Sequence, residues 1–347
     1  MRTATYEKFN HLWHLVGNTP MLELFYTYQG ELRSLYVKCE HYNLTGSIKD
    51  RMALYVLQQA YQHQTIQPGD RIVEATSGST GIAFSAVGRA LGHPVTIIMP
   101  AGISQERIDI IKSLGADIML FTKEKGGFMG ALKRSEEMAA ADSHIFLPRQ
   151  FANKYNAEAH TVTTGKEIWM QMQSVDLTPD AFVAGVGTGG TVMGVGRYLK
   201  ARHPSIKIHP LEPAESPTLS VGHKTGTHRI MGLFDEFIPD LVQLNELDEV
   251  VQANDGDSII VAQKLAIQLG LAVGISSGAN LIGAIKIQNK MGANTKIVTI
   301  LCDDNKKYLS TDLVKDEPLK PGYLAPDIEF VDYRPISRLA GGVPRVV

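Results

Sequence analysis

The sequence predicts a two-domain α/β protein whose parallel-strand sheets are flanked by helices. Three observations support this class. The 347 residues suffice for two domains, the apolar runs are short and nearly continuous, as in strands buried on both faces, and segments of helical period separate them. The predicted strands are LYVKCE (35–40), RIVEA (71–75), VTIIM (95–99), DIMLF (117–121), HIFL (144–147), AFVAG (181–185), IKIHPLE (206–212) and KIVTILC (296–302).

Helical segments alternate with these strands. Ser104 before QERIDIIKSLG is a capping residue, and Gly115 at the end of that string is a typical helix stop. Similar patterns predict helices over 49–64, 80–92, 104–114, 127–141, 156–174, 190–203, 255–269 and 277–291. After about residue 314, scattered prolines predict an extended tail, anchored to a surface or a partner subunit by Phe330, Tyr333 and Ile336.

Composition excludes several functional classes. With 34 Lys+Arg against 36 Asp+Glu and a net charge of -2, the chain lacks the basic field typical of nucleic-acid or anionic-membrane binding. No run approaches the roughly 18 apolar residues of a membrane span, and the N-terminus lacks an apolar signal core. Cys39 and Cys302 cannot form a disulfide framework. The histidines, among them His160, lack metal-ligand spacing and are expected at the surface or at helix ends. These features predict a cytoplasmic protein without a metal.

Three loops rich in Gly, Ser and Thr precede predicted helices: TSGSTG (76–81), GTGGT (187–191) and SSGAN (276–280). A helix N-terminus offers unpaired N–H donors and a positive dipole end, so small residues there let an anion approach the backbone. One such loop is an ordinary turn, but three of them favour a site. Because the carboxyl ends of parallel strands share one sheet edge, we expect the loops to meet there.

The segment NLTGSIKDRMALYVL (43–57) places a lysine at the start of a helix. Ser47 and Asp50 match a capping box, which predicts that the helix begins near Ile48. Lys49 would then lie in the first turn, where the dipole disfavours a cation. Burial there would lower the pKa of its amine and free it for imine chemistry; the alternative is a solvated surface lysine.

A second interpretation competes at the middle loop. Gly185, Gly187 and Gly190 satisfy GxGxxG between a strand and a helix, and Glu212 follows about 20 residues later, where a dinucleotide fold places its ribose-binding acid. This segment alone would suit an NAD-dependent oxidoreductase. GTGGT can equally enclose a single phosphate, so the segment leaves both interpretations open.

Four motifs in order, GSIKDR, TSGSTGI, GTGGT and GISSGA, resemble those of the fold type II pyridoxal-phosphate enzymes, above all the cysteine synthase and cystathionine β-synthase group. The resemblance extends over about residues 12 to 314. It implies a tryptophan synthase β-like fold, pyridoxal 5'-phosphate as cofactor, a homodimer and an amino-acid substrate. It also implies a small mobile domain of residues 44–154, a large domain of 1–43 plus 155–325, and a tail of 326–347.

The resemblance also implies roles for individual residues. Lys49 would form the imine with the cofactor and then take the substrate's α-proton. Ser276 would bond the pyridine nitrogen, and Ser79 would stand where the family commonly has an Asn beside the cofactor's ring oxygen. The phosphate cup would consist of Gly187, Thr188, Gly189, Gly190 and Thr191. The substrate would be bound by Thr76, Ser77, Gly78, Thr80, Gln150 and Gly232.

A neutral hydroxyl at the pyridine nitrogen makes the ring a weak electron sink, which suits loss of a β-leaving group to give an aminoacrylate. The resemblance therefore implies β-replacement on O-acetylserine, or a related activated serine, with sulfide or a thiol. Alternatives are cysteine β-elimination to sulfide and pyruvate, a cystathionine- or lanthionine-type synthase, the NAD-dependent oxidoreductase and a non-catalytic paralogue.

Residues 229–239 (RIMGLFDEFIP) depart from the family's usual loop. Arg229 there could read a phosphate leaving group, although a surface salt bridge is the simpler interpretation. Asp235 would suit an amino-acid nucleophile or a water-activating lyase, and it keeps cysteine desulfhydration open.

Overall fold

The computed structural model describes residues 2–340, with the side chains of residues 2–6 left out. Its strands agree closely with the predicted ones where the apolar runs are continuous. They are β1 (Met21–Tyr28), β2 (Glu31–Cys39), β3 (Arg71–Ala75), β4 (Val95–Pro100), β5 (Asp117–Phe121), β6 (Ile145–Phe146), β7 (Ala181–Gly185), β8 (Lys207–Pro213), β9 (Val251–Ala253), β10 (Ile297–Leu301) and β11 (Ile328–Ile336).

The helices follow the predicted alternation, with additional ones near the N-terminus and after β8. They are α1 (Arg2–Trp13), α2 (Lys49–Gln62), α3 (Ser79–Leu91), α4 (Gln105–Ser113), α5 (Gly127–Ala141), α6 (Lys154–His160), α7 (Lys166–Gln173), α8 (Gly190–Arg202), α9 (Thr218–Val221), α10 (Asp255–Leu269) and α11 (Ile275–Met291). The helix expected over 156–174 is interrupted by a π-helical turn at Thr161–Gly165. Hydroxyls of Thr161 and Thr163 bond carbonyls four residues back, a competition that distorts a helix.

The smaller sheet is parallel throughout, with strand order β5-β4-β3-β6. One face packs against α2 and α3 through side chains such as Met52, Phe84 and Ile97. Helix α5 covers the other face, at Val73 and Ile98. Burial on both faces explains the nearly continuous apolar sequences of β3 and β4, whereas the edge strand β5 is partly exposed. All four strands lie within residues 44–154, the predicted small domain; the domain boundaries and the mobility stay predictions.

The larger sheet has the order β11-β1-β2-β10-β7-β8-β9, and its strands from β2 to β9 are parallel. The prediction of parallel sheets flanked by helices is confirmed for this part. At one edge, however, β1 pairs antiparallel with both β2 and β11. Gln29 (φ 51) and Gly30 (φ 80) form the two-residue turn between β1 and β2, since two left-handed residues match the twist of a hairpin.

The predicted tail is largely a strand. Residues 328–336 form β11 along β1, so they extend the large sheet instead of lying across a surface. Phe330 and Ile336 are buried, as expected of anchors, whereas Tyr333 is 40% exposed. Residues 341–347 of the predicted tail lie outside the described residues.

Candidate active site

Helix α2 begins at Lys49, one residue later than predicted. The Ser47 hydroxyl accepts a hydrogen bond from the Lys49 N–H at 3.2 Å, as a capping residue does. Asp50 does not complete the box, because its carboxylate accepts from the N–H and the hydroxyl of Thr45 (2.6 and 2.5 Å). The Ile48 N–H donates to the Cys302 carbonyl at the end of β10, which fixes the start of α2 against the large sheet.

Lys49 lies in a cleft between the two sheets, at the carboxyl ends of their parallel strands. Its side chain is half-buried, and within residues 2–340 its amine has no hydrogen-bond or ion-pair partner. Burial lowers the pKa of Lys49, against the opposing influence of Cys302 and Asp303. The cleft therefore favours a neutral, nucleophilic amine, the state that imine formation and proton abstraction require.

The loop after β3 forms one wall of the cleft. Thr76, Ser77, Gly78, Ser79 and Thr80 all line it. The Thr76 hydroxyl accepts from the Gly78 N–H (3.1 Å), which holds the turn into α3.

Gln150 braces this loop from beneath and is buried, although its type alone would suit a solvated loop. Its side-chain carbonyl accepts from the Thr80 hydroxyl (2.7 Å), and its amide donates to the Ala75 carbonyl (2.8 Å). Thr80 is therefore committed to Gln150, and the hydroxyl of Ser77 with the loop's N–H groups is left for a carboxylate.

Ser79 has partners that the sequence did not suggest. Its hydroxyl donates to Asp303 Oδ2 (3.0 Å), which also accepts from the Tyr308 hydroxyl (2.5 Å). Burial raises the pKa of Asp303, and its Oδ1 is buried with no partner among the described residues. The signal missed was position: Asp303 directly follows β10, at the same sheet edge as the glycine loops.

The GTGGT loop after β7 is a cradle that side chains would fill. A β-carbon at Gly187 would clash with the Gly232 carbonyl and one at Gly190 with the Asn156 amide, while Gly189 has φ +83. The N–H groups of Gly187 and Gly189 make no backbone hydrogen bond within residues 2–340. The Thr188 and Thr191 hydroxyls lie at the same loop and line the cleft. Free N–H donors at the start of α8 fit a phosphate.

His160 lies behind this cup. It is the last residue of α6, as expected of a residue at a helix end, but it is 2% exposed and so not at the surface, and its ring nitrogens face Thr164 (2.9 Å) and Thr191 (3.4 Å). Burial, together with the charges of Arg51 and Lys49, lowers the pKa of His160 to about 3. A neutral ring therefore supports the cup without adding a charge. Among the described residues, no cluster of His, Cys, Asp and Glu could hold a metal ion.

Ser276 lies in the first turn of α11, buried against Gly232 and Cys302. Burial raises the pKa of the Cys302 thiol to about 12, although a hydrogen bond from Ser276 opposes the shift. Asn280 donates to the same sulfur at 3.2 Å. The donor set here is a neutral hydroxyl beside a neutral thiol, which fits a pyridine nitrogen that carries no proton.

These groups together fit pyridoxal 5'-phosphate. The glycine cradle would hold its phosphate, Ser276 its ring nitrogen and Lys49 its aldehyde carbon. The acid expected of a dinucleotide site is used elsewhere: the Glu212 carboxylate accepts from the N–H groups of Leu219 and Ser220 in α9 (2.7 and 3.2 Å).

The two residues of the 229–239 loop lie in an outer cleft that opens from this site. Arg229 is bonded to Glu317 (2.7 Å), Asp312 (3.1 Å) and Asp255 (3.4 Å), so it forms the salt bridge that was the simpler interpretation. Asp235 is buried beside Lys224 (3.4 Å).

The Asp235 carboxylate is ionised at neutral pH. Burial alone would raise its pKa, but the neighbouring His228 and Ser216 side chains and the charge of Lys224 lower it. Its Oδ2 is buried and has no partner among the described residues.

Comparison with known proteins decides the family. The sequence profile of the family described as "Pyridoxal-phosphate dependent enzyme" matches residues 12–303. The chain belongs to this family. It is 38% identical over 304 residues to a cysteine synthase of Staphylococcus aureus (strain Mu50), covering 88% of this chain and 96% of that one. It is 36% identical over 299 residues to a probable cysteine synthase of Bacillus subtilis (strain 168), covering 86% and 96%.

Solved structures of the family superpose on this chain. A hydrogen sulfide-producing enzyme from Fusobacterium nucleatum has a TM-score of 0.94 and 54% identity, covering 96% of this chain and 100% of that one. An aspartate-to-asparagine variant of that enzyme has been solved with an α-aminoacrylate intermediate. A cysteine synthase from Entamoeba histolytica has a TM-score of 0.82 and 34% identity, covering 91% and 94%.

The family establishes the general chemistry. The chain is a pyridoxal-phosphate-dependent enzyme of the cysteine synthase family with the fold type II architecture, and it carries out β-replacement or β-elimination on serine derivatives. The NAD-dependent interpretation is therefore wrong, since the enzymes of this family depend on pyridoxal phosphate. No helix within residues 2–340 is both long and apolar enough to cross a membrane.

Proposed function

We propose that this enzyme releases sulfide from L-cysteine, and that Asp235 accepts a proton from the molecule that then attacks the β-carbon. The observation that carries the proposal is the ionised, unpartnered Asp235 oxygen at the outer cleft. The 54% identity to a hydrogen sulfide-producing enzyme supports the same direction.

The site residues take the following roles. The Ser77 hydroxyl and the N–H groups of the TSGST loop, which Gln150 holds in place, bind the substrate carboxylate, and this aligns the α-proton with the Lys49 amine. Lys49 removes that proton, and the carbon–sulfur bond at the β-carbon breaks as sulfide departs. Bound pyridoxal phosphate supplies the electron sink for this step, and Ser276 keeps that sink weak by offering a neutral hydroxyl.

An aromatic cluster limits water at the β-carbon. Phe151 and Phe234 line the inner cleft with ring centroids 4.5 Å apart, Phe128 stacks edge-on against both, and Phe237 covers them from outside. Phe128 and Phe151 belong to the predicted small domain and the other two to the large one. We propose that the small domain closes across this cluster, so that a nucleophile passes Asp235 on its way in.

The test is incubation of the holoenzyme with L-cysteine alone. We expect sustained sulfide release; synthesis from O-acetylserine without any release from cysteine would overturn the proposal. If Asp235 activates water for attack on the β-carbon, serine accumulates. If the aminoacrylate instead leaves the site, its hydrolysis in solution gives pyruvate and ammonia. Asp235→Asn is expected to slow turnover about 10²-fold or more. Glu236→Gln, which removes the exposed neighbouring carboxylate of the same loop, should leave the rate nearly unchanged.

Cysteine synthesis from O-acetylserine and sulfide is the second candidate, favoured by the identity to curated cysteine synthases. Both directions share the residues above. The two reactions are ranked by comparing the kcat/KM for O-acetylserine in the presence of sulfide with the kcat/KM for cysteine alone. Homodimeric assembly, which the family resemblance implies, and a cytoplasmic location, which the composition predicts, are part of this proposal. Light scattering of the purified holoenzyme tests the assembly.

A further inference from the structure

Arg107 is a buried cation without a counter-ion. It lies in α4 and is 3% exposed. None of the carboxylates in the described residues comes within 4.0 Å of it, in contrast to Arg229, which contacts three. An isolated buried charge is costly, so a buried guanidinium normally has an anionic partner.

The guanidinium has unused donors. One N–H of Nη1 donates to the Ser77 carbonyl (2.9 Å) and Nη2 contacts the Met231 sulfur (2.8 Å), while Nε is buried with no partner in the described part of the chain. Of the five N–H groups of an arginine, three are therefore free. The face of the Tyr308 ring lies 4.6 Å from the guanidinium carbon and offsets only part of the charge.

Arg107 stands where the inner site meets the outer cleft. Both cavities are lined by the same ring of residues, which forms a neck between them: Ser77, Arg107, Gly232, Leu233 and Phe234. Gly78 makes room for the arginine, since a β-carbon there would lie 2.7 Å from the Arg107 Cδ. Whatever reaches or leaves the β-carbon by way of the outer cleft passes this cation.

We propose that Arg107 binds the negative charge of the group that enters or leaves at the substrate's β-carbon. The ligand class is a small monoanion, either hydrosulfide or the carboxylate of a thiol. This proposal rests on the proposed function only for the passage of sulfide; the binding of a carboxylate at the neck is independent of it. Arg229, which the sequence analysis considered for a similar role, has its charge already neutralised.

The competing explanation is structural. Through its bond to the Ser77 carbonyl, Arg107 could merely brace the substrate loop. A brace would affect every nucleophile alike, whereas an anion-binding residue would distinguish charged from neutral ones. Two thiols of similar size make the comparison, mercaptoacetate (anionic) and 2-mercaptoethanol (neutral), with hydrosulfide as the third nucleophile.

The first experiment uses the holoenzyme with O-acetylserine as donor. Arg107→Gln is expected to raise the KM for mercaptoacetate about tenfold or more, the usual effect of losing a charge-assisted bond, and the KM for 2-mercaptoethanol less than about twofold. A rise for hydrosulfide as well identifies sulfide as a ligand; a rise for mercaptoacetate alone identifies the carboxylate. Arg107→Lys should recover part of the discrimination. Equal losses for all three nucleophiles, unrelieved by Arg107→Lys, would overturn the proposal.

A second measurement needs no turnover. Acetate titrated into substrate-free holoenzyme should perturb the visible spectrum of the bound cofactor in the wild type and bind at least tenfold more weakly to Arg107→Gln. Lys123→Gln, which removes an exposed cation from the rim of the outer cleft, is the matched control and should bind acetate as the wild type does. Equal affinity for acetate in the wild type and in Arg107→Gln would contradict the proposal, whether or not the enzyme releases sulfide from cysteine.

Discussion

Two cations in the first turn of α2 have opposite environments. Lys49 faces the cleft with an unpartnered amine of lowered pKa. Arg51, two residues later, points into the protein and is fully buried between Glu40 and Glu167 (2.6 Å each). The first turn of α2 therefore has a reactive face, which carries Lys49, and an anchoring face, which carries Arg51. The contrast shows that, at this turn, the basic side chain without a partner among the described residues faces the cleft, whereas the paired one fixes the helix that carries it.

The anchoring face is an ionic cluster of four fully buried side chains, Lys38, Glu40, Arg51 and Glu167. Arg51 donates to each of the two glutamates through two nitrogens, and Lys38 contacts Glu167 at 2.8 Å. Burial would raise the pKa of Glu167, but the charges of Arg51 and Lys38 outweigh it and hold the pKa well below its usual range. The cluster ties α2 to β2 and α7.

The largest effect is expected on the reactive face. Lys49→Ala removes both the imine-forming amine and the base, so sulfide release from cysteine should fall by about 10³-fold or more. The free energy of unfolding should change little or rise, because a desolvated amine is removed. Sulfide assays and urea unfolding measure the two quantities. Retention of more than a tenth of the wild-type rate would contradict the assignment of Lys49.

On the anchoring face the order of effects reverses. Arg51→Met leaves Glu40 and Glu167 buried without their principal partner, and it should lower the free energy of unfolding by about 3–5 kcal/mol. Urea unfolding monitored by circular dichroism checks this value. Lys290→Met, which breaks an exposed ion pair with Glu249, is the control and should cost less than about 1 kcal/mol. Similar costs for the two variants would mean that the cluster does not anchor α2.

Two buried glutamates extend the comparison to pH. Glu167 is paired, whereas Glu74 in β3 has no cation within 4.0 Å among the described residues, and its Oε2 lacks a hydrogen bond. Burial raises the pKa of Glu74 to about 8, from 4.5. Between those two pH values Glu74 is protonated in the folded state and ionised in the unfolded state. Its contribution to the free energy of unfolding is therefore greatest below about pH 4.5 and decreases as the pH rises to 8.

We expect this group to lower the free energy of unfolding by on the order of 1–3 kcal/mol between pH 5 and pH 8. Glu74→Gln keeps the shape without the titration, and it should flatten that part of the stability curve. Urea unfolding at several pH values compares the two proteins. An unchanged slope in the variant would show that Glu74 is ionised in the folded protein.

The sequence predicted correctly the features that depend on a single segment of the chain. The strand RIVEA agrees with β3 and AFVAG with β7, because strands buried on both faces have continuous apolar runs. Two of the glycine loops follow from the same rule, since TSGSTG ends β3 and GTGGT ends β7, both of which are parallel strands; SSGAN instead lies at the start of α11, where the chain passes from α10 without a strand of the sheet. Strand β11 was missed because its pairing with β1, about 300 positions away, leaves no local pattern. The β1–β2 hairpin is local, but its turn, Gln29 and Gly30, is not one of the Asn-Gly or Asp-Gly pairs that indicate a hairpin in a sequence.

Within the site, residue types could be predicted but not their partners. Arg229 and Arg107 look alike in the sequence, and only the fold brings Asp255, Asp312 and Glu317 to the first and none to the second. Long-range contacts of this kind decide which charge is free to bind a ligand. The environment of Asp303 is another example, as its partner Ser79 comes from a loop 224 positions away.

The smallest effect is expected from a substitution at Ser79. Its contact with Asp303 is a single hydrogen bond in the cleft, in contrast to the ion pairs of the anchoring face. Ser79→Ala removes one of two donors to Asp303 Oδ2, and Tyr308 remains as the other. The loss of this single hydrogen bond to a buried carboxyl group, whose pKa is raised by burial, should cost about 0.5–1.5 kcal/mol. Urea unfolding of the holoenzyme measures this cost against Tyr308→Phe, which removes the other donor. A cost for Ser79→Ala as large as that of Arg51→Met would mean that Asp303 is ionised, and the cleft would then depend on buried charge as the anchoring face does.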